Sequence, residues 1–241
     1  MKINVHAGHN PDGKKGCGAI GLIKESTEAR NVKNEVIRLL QLLGHTVYDC
    51  TVDDGTSASN VLTKIVQKCN AHTVDLDVSI HFNSGANDKN GNGTTTGTEV
   101  YVYSKTGNQF ACNVAERVVN SLATLGFKKR GVKANASLYV LRKTKAPAIL
   151  IEVCFVDDKD DVQLYNAFAV AREIVHGITG EYYEEPKGGI DSEAQSSNAE
   201  TATGSPSSIY RVQVGAFSDK ANAVKLQKEL QSKGYNAIIT Q

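Results

Sequence analysis

The chain has 241 residues, 27 basic and 26 acidic side chains, a formal charge of +1 and 40% hydrophobic residues. The near-neutral charge argues against a dedicated nucleic-acid-binding protein, because such proteins carry a clear cationic excess. The apolar fraction excludes a uniformly disordered chain, and no apolar run approaches the ~20 residues that a membrane-spanning helix needs.

The charges divide the chain into three parts. Residues 1–180 carry 21 basic and 18 acidic side chains, residues 181–208 carry one and six, and residues 209–241 carry five and two. The middle part is also rich in Ser, Gly, Ala and Pro, as is typical of a linker. We therefore expect a domain over 1–180, a flexible acidic linker over 181–208 and a small module over 209–241.

Short apolar runs alternate with helical patterns in the first part. Strands are predicted at residues 3–5, 45–50, 77–80, 98–103 and 148–153, and helices at residues 28–43, 57–70, 108–125 and 159–178. The run AILIEV at 148–153 is almost continuously apolar, which indicates a central strand covered on both faces. The alternation predicts an α/β fold, with a mostly parallel twisted sheet wrapped by helices.

The last part has the pattern of a short β-α-β unit. A strand is predicted at residues 210–214, a helix at 218–232 and a strand at 235–240. These 33 residues are few for an independent hydrophobic core. We therefore expect the unit to pair with another element.

The N-terminus and the cysteines both favour synthesis in the cytoplasm. Met1-Lys2 runs into Ile3-Asn4-Val5 and a polar loop, without the apolar core of a signal peptide. The five cysteines are scattered and form neither a disulfide framework nor a CxxC metal pair. We expect them to be reduced thiols.

Candidate catalytic residues lie where the predicted strands end. His6 and His9 are at the end of the first strand, His81 follows the third, and Glu152 interrupts the apolar run of the central strand. In α/β sheets, ligands bind outside the carboxyl ends of the strands. Two histidines and a carboxylate, with an open fourth position, would suit a catalytic zinc ion.

The third ligand should be a carboxylate that reaches the same edge. Glu28 begins the first predicted long helix, where the helix dipole favours an anion, and Glu25 is its nearest competitor. A further carboxylate could take a proton from water, so Glu152 is a candidate general base.

Four pieces of residues 1–180 together resemble a known family. They are Gly8-His9, the helix beginning at Glu28, Ser79–Asn83 and the segment Arg130–Asp158. They resemble the zinc-dependent N-acetylmuramoyl-L-alanine amidases of type 3. The resemblance implies cleavage of the amide between N-acetylmuramic acid and L-alanine in peptidoglycan. It also implies that His9, Glu28 and His81 bind one zinc ion and that Glu152 is the catalytic glutamate.

The chain departs from this family's pattern in the loops around the ligands. His6 stands where the family usually has Asp, Asn10 replaces a Gly, and Asp157-Asp158 replaces a common Ser-Asn pair. His6 is therefore a rival metal ligand. The Gly- and Asn-rich loop 84–97 is expected to be either a rim that contacts substrate or a plain flexible loop.

The tail from Tyr210 to Thr240 resembles one repeat of a SPOR domain. Such domains contain two β-α-β repeats and bind glycan strands that lack stem peptides. The resemblance implies binding to the cell wall, and the single repeat raises the hypothesis of a homodimer in which two chains each supply half a domain.

The predicted function is peptidoglycan hydrolysis during cell lysis, as a phage endolysin or in mother-cell lysis during sporulation. An enzyme made without a signal peptide would reach the wall after release by a holin or by cell lysis. Two alternatives remain: a zinc peptidase that cuts within the stem peptide, and a non-catalytic protein that binds the wall.

Overall fold

The computed structural model describes residues 1–184 and, in the tail, residues 220, 223–224, 226–228 and 239. The predicted linker and the predicted tail module lie almost entirely outside these described residues. No helix of the described part is long and apolar enough to cross a membrane.

Six strands form one mixed sheet. They are β1 (Lys2–Ala7), β2 (Thr46–Asp49), β3 (Leu76–Asn83), β4 (Thr98–Val102), β5 (Lys129–Ala134) and β6 (Ala148–Phe155). Their order in the sheet is β2-β1-β3-β6-β4-β5, and every neighbouring pair is parallel except β4 with β6. The mostly parallel α/β sheet predicted from the sequence is thus confirmed.

Six helices lie in residues 1–184. They are α1 (Glu25–Leu42), α2 (Ala58–Asn70), α3 (Gln109–Ala123), α4 (Tyr139–Lys143), α5 (Lys159–Leu164) and α6 (Ala167–Thr179). Ser57, Asn108 and Asn166 cap α2, α3 and α6, because each side chain accepts a backbone N–H in the first turn. The single helix predicted at 159–178 is two helices, and Asn166 begins the second.

The two faces of the sheet differ in character. One face packs against α1, α3 and α6 in a large apolar core that includes Val78, Ile80 and Ile151. The other face has a smaller apolar cluster with α2 and α4, which includes Leu150. Side chains alternate between the two faces of the sheet along β3 and β6. Near the strand ends, the side chains that face away from the large core are polar or small. Glu152 therefore lies on the face with the smaller cluster, and β6 is a central strand covered on both faces, as its sequence predicted.

The strand directions decide which residues meet at the edge of the sheet that carries the candidate site residues. The carboxyl ends of β1, β3 and β6 lie at the same edge because these strands are parallel. β4 runs against β6, so the beginning of β4, rather than its end, reaches this edge. β5 is parallel to β4 and also begins there.

Candidate metal and catalytic site

Two histidines and a glutamate meet at the carboxyl edge of β1 and β3. Glu25 Oε1 lies 3.2 Å from His9 Nε2 and 3.0 Å from His81 Nδ1. Each of the three residues offers one atom that could bind a metal ion, and these three atoms all lie within 4.8 Å of one another. The side chain of Glu25 is 5% exposed, whereas that of His9 is 35% exposed, so the group opens to solvent on the His9 side.

The carboxylate of this group comes from Glu25 and not from the predicted Glu28. The sequence pattern predicted a helix beginning at residue 28, but α1 begins at Glu25, one turn earlier. A rise of 1.5 Å per residue places Glu28 about 4.5 Å further along the helix. There Glu28 Oε2 accepts hydrogen bonds from the Tyr165 hydroxyl at 2.9 Å and from Asn31 at 3.0 Å.

Two glycines allow the group to pack closely. A Cβ atom on Gly8 would lie 2.0 Å from Cε1 of the His81 ring, and one on Gly18 would lie 2.3 Å from Glu25 Oε2. The neighbouring His9 has a φ of 62°, which is uncommon for a residue with a side chain. Arg30 donates to the His9 carbonyl at 2.9 Å and so helps to hold this conformation.

Hydrogen bonds orient the Glu25 carboxylate. Its Oε2 accepts the Ala19 N–H at 2.7 Å, and its Oε1 accepts the Phe82 N–H at 3.2 Å. Burial raises the pKa of Glu25, but hydrogen bonds to His81 and His9 outweigh burial and lower it well below its usual range. Glu25 is therefore an anion that accepts backbone N–H donors and faces two imidazoles.

Glu152 is directly beside His81 in the register of the parallel pair β3 and β6. Its Oε2 is buried and has no hydrogen-bond partner among the described residues. Burial, followed by the negative charges of Glu25 and Glu99, raises the pKa of Glu152 well above its usual value. An unpartnered carboxylate of this kind is a candidate acid or base.

His6 does not join the two histidines and Glu25. It is 1% exposed, and its Nδ1 lies 3.5 Å from the Ser79 hydroxyl. Burial, with a smaller contribution from His81, lowers the pKa of His6 to about 3. His6 is thus a neutral, buried neighbour of His81.

The sequence reasoning missed a second charged group, which lies on the other side of Glu152. Glu99 is 1% exposed and is paired with Glu152 in the antiparallel register of β4 and β6. Its carboxylate accepts from four side chains, which are Asn83, Tyr101, Arg130 and Lys133. The signal for this group in the sequence was a glutamate within the predicted strand 98–103. Its two cations, Arg130 and Lys133, are about 30 residues away in the chain, so the sequence did not connect them with Glu99.

The loop 84–97 is tied to the segment that follows β6. Asp157 accepts hydrogen bonds from the N–H groups of residues 85, 86 and 87. Asp158 accepts one from the N–H of Thr96, and Asp160 accepts two from the N–H groups of residues 92 and 93. Asp88, Asp158 and Asp160 also form a second acidic group with oxygens within 4.8 Å of one another. These hydrogen bonds give the Asp157-Asp158 pair the role of anchoring the loop.

Comparisons with known proteins find matches to both the first part and the last part of the chain. A model of the N-acetylmuramoyl-L-alanine amidase family matches residues 3–180, and a model of the SPOR domain matches residues 197–241. An uncharacterized protein of Clostridium perfringens is 35% identical over 227 residues, which are 88% of this chain. The chain spans 65% of that relative's length. The N-acetylmuramoyl-L-alanine amidase CwlM of Bacillus licheniformis is 29% identical over 99% of this chain and 84% of its own.

A solved structure shows the same fold. The catalytic domain of the CD27L endolysin that targets Clostridia Difficile is similar to this chain with a TM-score of 0.66 and 26% identity. The similarity covers 76% of this chain and 99% of that domain.

Proposed function

Since the chain belongs to the N-acetylmuramoyl-L-alanine amidase family, we propose that it hydrolyses the amide between N-acetylmuramic acid and L-alanine of the stem peptide. The observation that carries the proposal is the group of His9, Glu25 and His81 beside the unpartnered carboxylate of Glu152. It combines a set of metal ligands with a base at one edge of the sheet.

The residues of this group fit a single zinc ion. Two imidazole nitrogens and one carboxylate are a donor set of catalytic zinc sites. The Ala19 and Phe82 N–H groups would hold the Glu25 carboxylate in place, as supporting hydrogen bonds do in metal sites. We propose His9, Glu25 and His81 as the ligands. When bound, zinc would polarise the scissile carbonyl and lower the pKa of water.

Glu152 would then move the proton. Its carboxylate would take a proton from the attacking water and return it to the leaving nitrogen of L-alanine. The position of Glu152 beside His81 in the sheet register supports this role. No donor of the described residues occupies its Oε2, which leaves this atom available to a proton.

The test is digestion of purified cell walls by the zinc-loaded protein, with mass spectrometry of the products. The proposal expects muramic acid with a free lactyl carboxylate and peptides with a new N-terminal L-alanine. A chelator should abolish the reaction and zinc should restore it. Products cut within the stem peptide would instead identify a peptidase, and intact walls would indicate a binding protein.

The variant Glu152→Gln separates catalysis from metal binding. It keeps the size of the side chain but cannot accept the proton, so hydrolysis should fall by at least about a hundredfold. Its zinc content should equal that of the wild type. Loss of zinc in this variant would make Glu152 a ligand and refute its role as base.

We further propose that the tail binds the cell wall and that the enzyme acts in cell lysis. The match of a SPOR domain model to residues 197–241 supports wall binding, and similarity to an endolysin domain supports lysis. Removing residues 185–241 should reduce sedimentation with purified walls. Light scattering of the full chain tests the homodimer hypothesis, which a monomer would refute.

A further inference from the structure

Two cations share one buried carboxylate beside the proposed base. Arg130 Nε and Lys133 Nζ both donate to Oε2 of Glu99, whose side chain is 1% exposed. Asn83 and Tyr101 donate to the other oxygen, Oε1. One cation would neutralise Glu99, so the pair leaves one positive charge in excess at this point of the surface.

An irregularity in the sheet brings Arg130 into this group. Thr98 pairs with Lys129 but Glu99 pairs with Gly131, so Arg130 is an extra residue on β5. Irregularities of this kind re-aim side chains and are common next to active sites. Without it, strand alternation would place Arg130 on the opposite face from Gly131 and Lys133.

Both cations keep donors that Glu99 does not use. The side chains of Arg130 and Lys133 are 29% and 38% exposed. Among the described residues, Arg130 Nη2 has no hydrogen-bond partner. Lys133 Nζ can donate three hydrogen bonds, and Glu99 is its one acceptor within the same residues. Stacking of Arg130 over Phe155, at 5.0 Å, further fixes the guanidinium.

We infer that Arg130 and Lys133 form a binding subsite for a carboxylate of the substrate, and that this carboxylate is the α-carboxylate of the D-glutamate that follows L-alanine in the stem peptide. This inference rests on the proposed amidase function. Partly exposed, prearranged guanidinium and ammonium donors are suited to charge-assisted hydrogen bonds with a carboxylate.

The spacing along the sheet agrees with this ligand. Glu99 is two strands from His81, and neighbouring strands are about 4.8 Å apart, so the cations lie roughly 10 Å from the metal ligands. The α-carbon of the residue after L-alanine lies about 6 Å from the scissile carbonyl in an extended peptide. A carboxylate attached to that carbon, with a hydrogen bond of about 2.8 Å to a cation, covers the remaining distance.

The experiment compares two matched substrates with the full-length zinc-loaded protein. Both are N-acetylmuramoyl tripeptide amides of L-alanine, residue two and L-lysine, with either D-glutamate or D-isoglutamine at residue two. They differ in one carboxylate, since the C-terminus is amidated in both. We expect kcat/KM to be about tenfold higher for the D-glutamate substrate, mainly through a lower KM.

Lys133→Met and Arg130→Gln should each lower this preference, because kcat/KM should fall further on the D-glutamate substrate than on the D-isoglutamine substrate. Lys133→Arg should retain the preference. Lys129→Met is the matched control, because Lys129 lies on the same strand and its partner is Glu116 rather than Glu99. Its preference should equal that of the wild type.

Three results would overturn the inference. They are no preference in the wild type, equal slowing of both substrates in the Lys133 and Arg130 variants, and loss of preference in the Lys129 control. Failure to release L-alanine peptides from either substrate is a different pattern, and it would overturn the amidase function together with the subsite.

Discussion

The close contact of Gly8 with His81 makes a single added methyl group a test of the site. In Gly8→Ala the new Cβ would lie 2.0 Å from Cε1, 2.3 Å from Nε2 and 2.6 Å from Nδ1 of the His81 ring. Ordinary contacts of a Cβ atom begin at 3.4 Å. The ring must therefore move by more than about 1 Å, or the backbone must shift.

A movement of this size separates His81 from its partner. The Nδ1 to Glu25 Oε1 distance is 3.0 Å, and an added 1 Å takes it beyond hydrogen-bond range. A misplacement of about 1 Å in a catalytic group can cost about a hundredfold in rate. We expect Gly8→Ala to lose zinc affinity and at least that much activity.

The assay measures zinc content after dialysis, the rate of wall hydrolysis and the melting temperature. Gly107→Ala is the control, because a Cβ atom there would lie 3.2 Å from the Ser104 Cβ on an exposed loop. It should keep full activity. A Gly8→Ala protein with normal zinc content and normal rate would refute the packing argument.

Two other predictions concern carboxylates. Glu25→Gln should weaken zinc binding by more than about a hundredfold, whereas Glu28→Gln should retain zinc, as measured by equilibrium dialysis; the reverse result would restore the assignment of Glu28. Burial raises the pKa of Asp77 to about 6, so the folded state holds this proton more tightly than the unfolded chain. The contribution of Asp77 to the free energy of unfolding therefore falls as the pH rises from about 4 to about 7. Asp77→Asn should remove this contribution and be more stable than the wild type at pH 8, by about 2 kcal/mol in urea unfolding. An unchanged slope in Asp77→Asn would contradict the burial argument.

The strands and helices with strong periodicity followed from the sequence. α2 and α3 lie within a few residues of the helices predicted there, because their apolar faces and their capping residues are local features. β5 and α4 were missed, since neither Lys129–Ala134 nor Tyr139–Lys143 has an apolar period that distinguishes it from a loop.

The identity of the third carboxylate shows the limit of local reasoning. Glu25 and Glu28 are one turn apart at the start of α1, and both are acids in its first turn. Residues 18–24 form a bend that precedes α1, and Ala19 and Glu25 exchange two hydrogen bonds across it. The spacing of apolar residues in the sequence does not predict that contact, so it did not show that the helix begins at Glu25.

The sequence by itself determined the α/β class, the family resemblance and the positions of His9, His81 and Glu152 near the carboxyl ends of strands, because apolar periodicity and its interruptions are local patterns. Only the tertiary structure decided that Glu25 reaches the histidines and that Arg130 and Lys133 lie on Glu99 beside Glu152. These contacts depend on where α1 begins, on the reversed direction of β4 and on the extra residue in β5. Each of them is set by packing between distant segments.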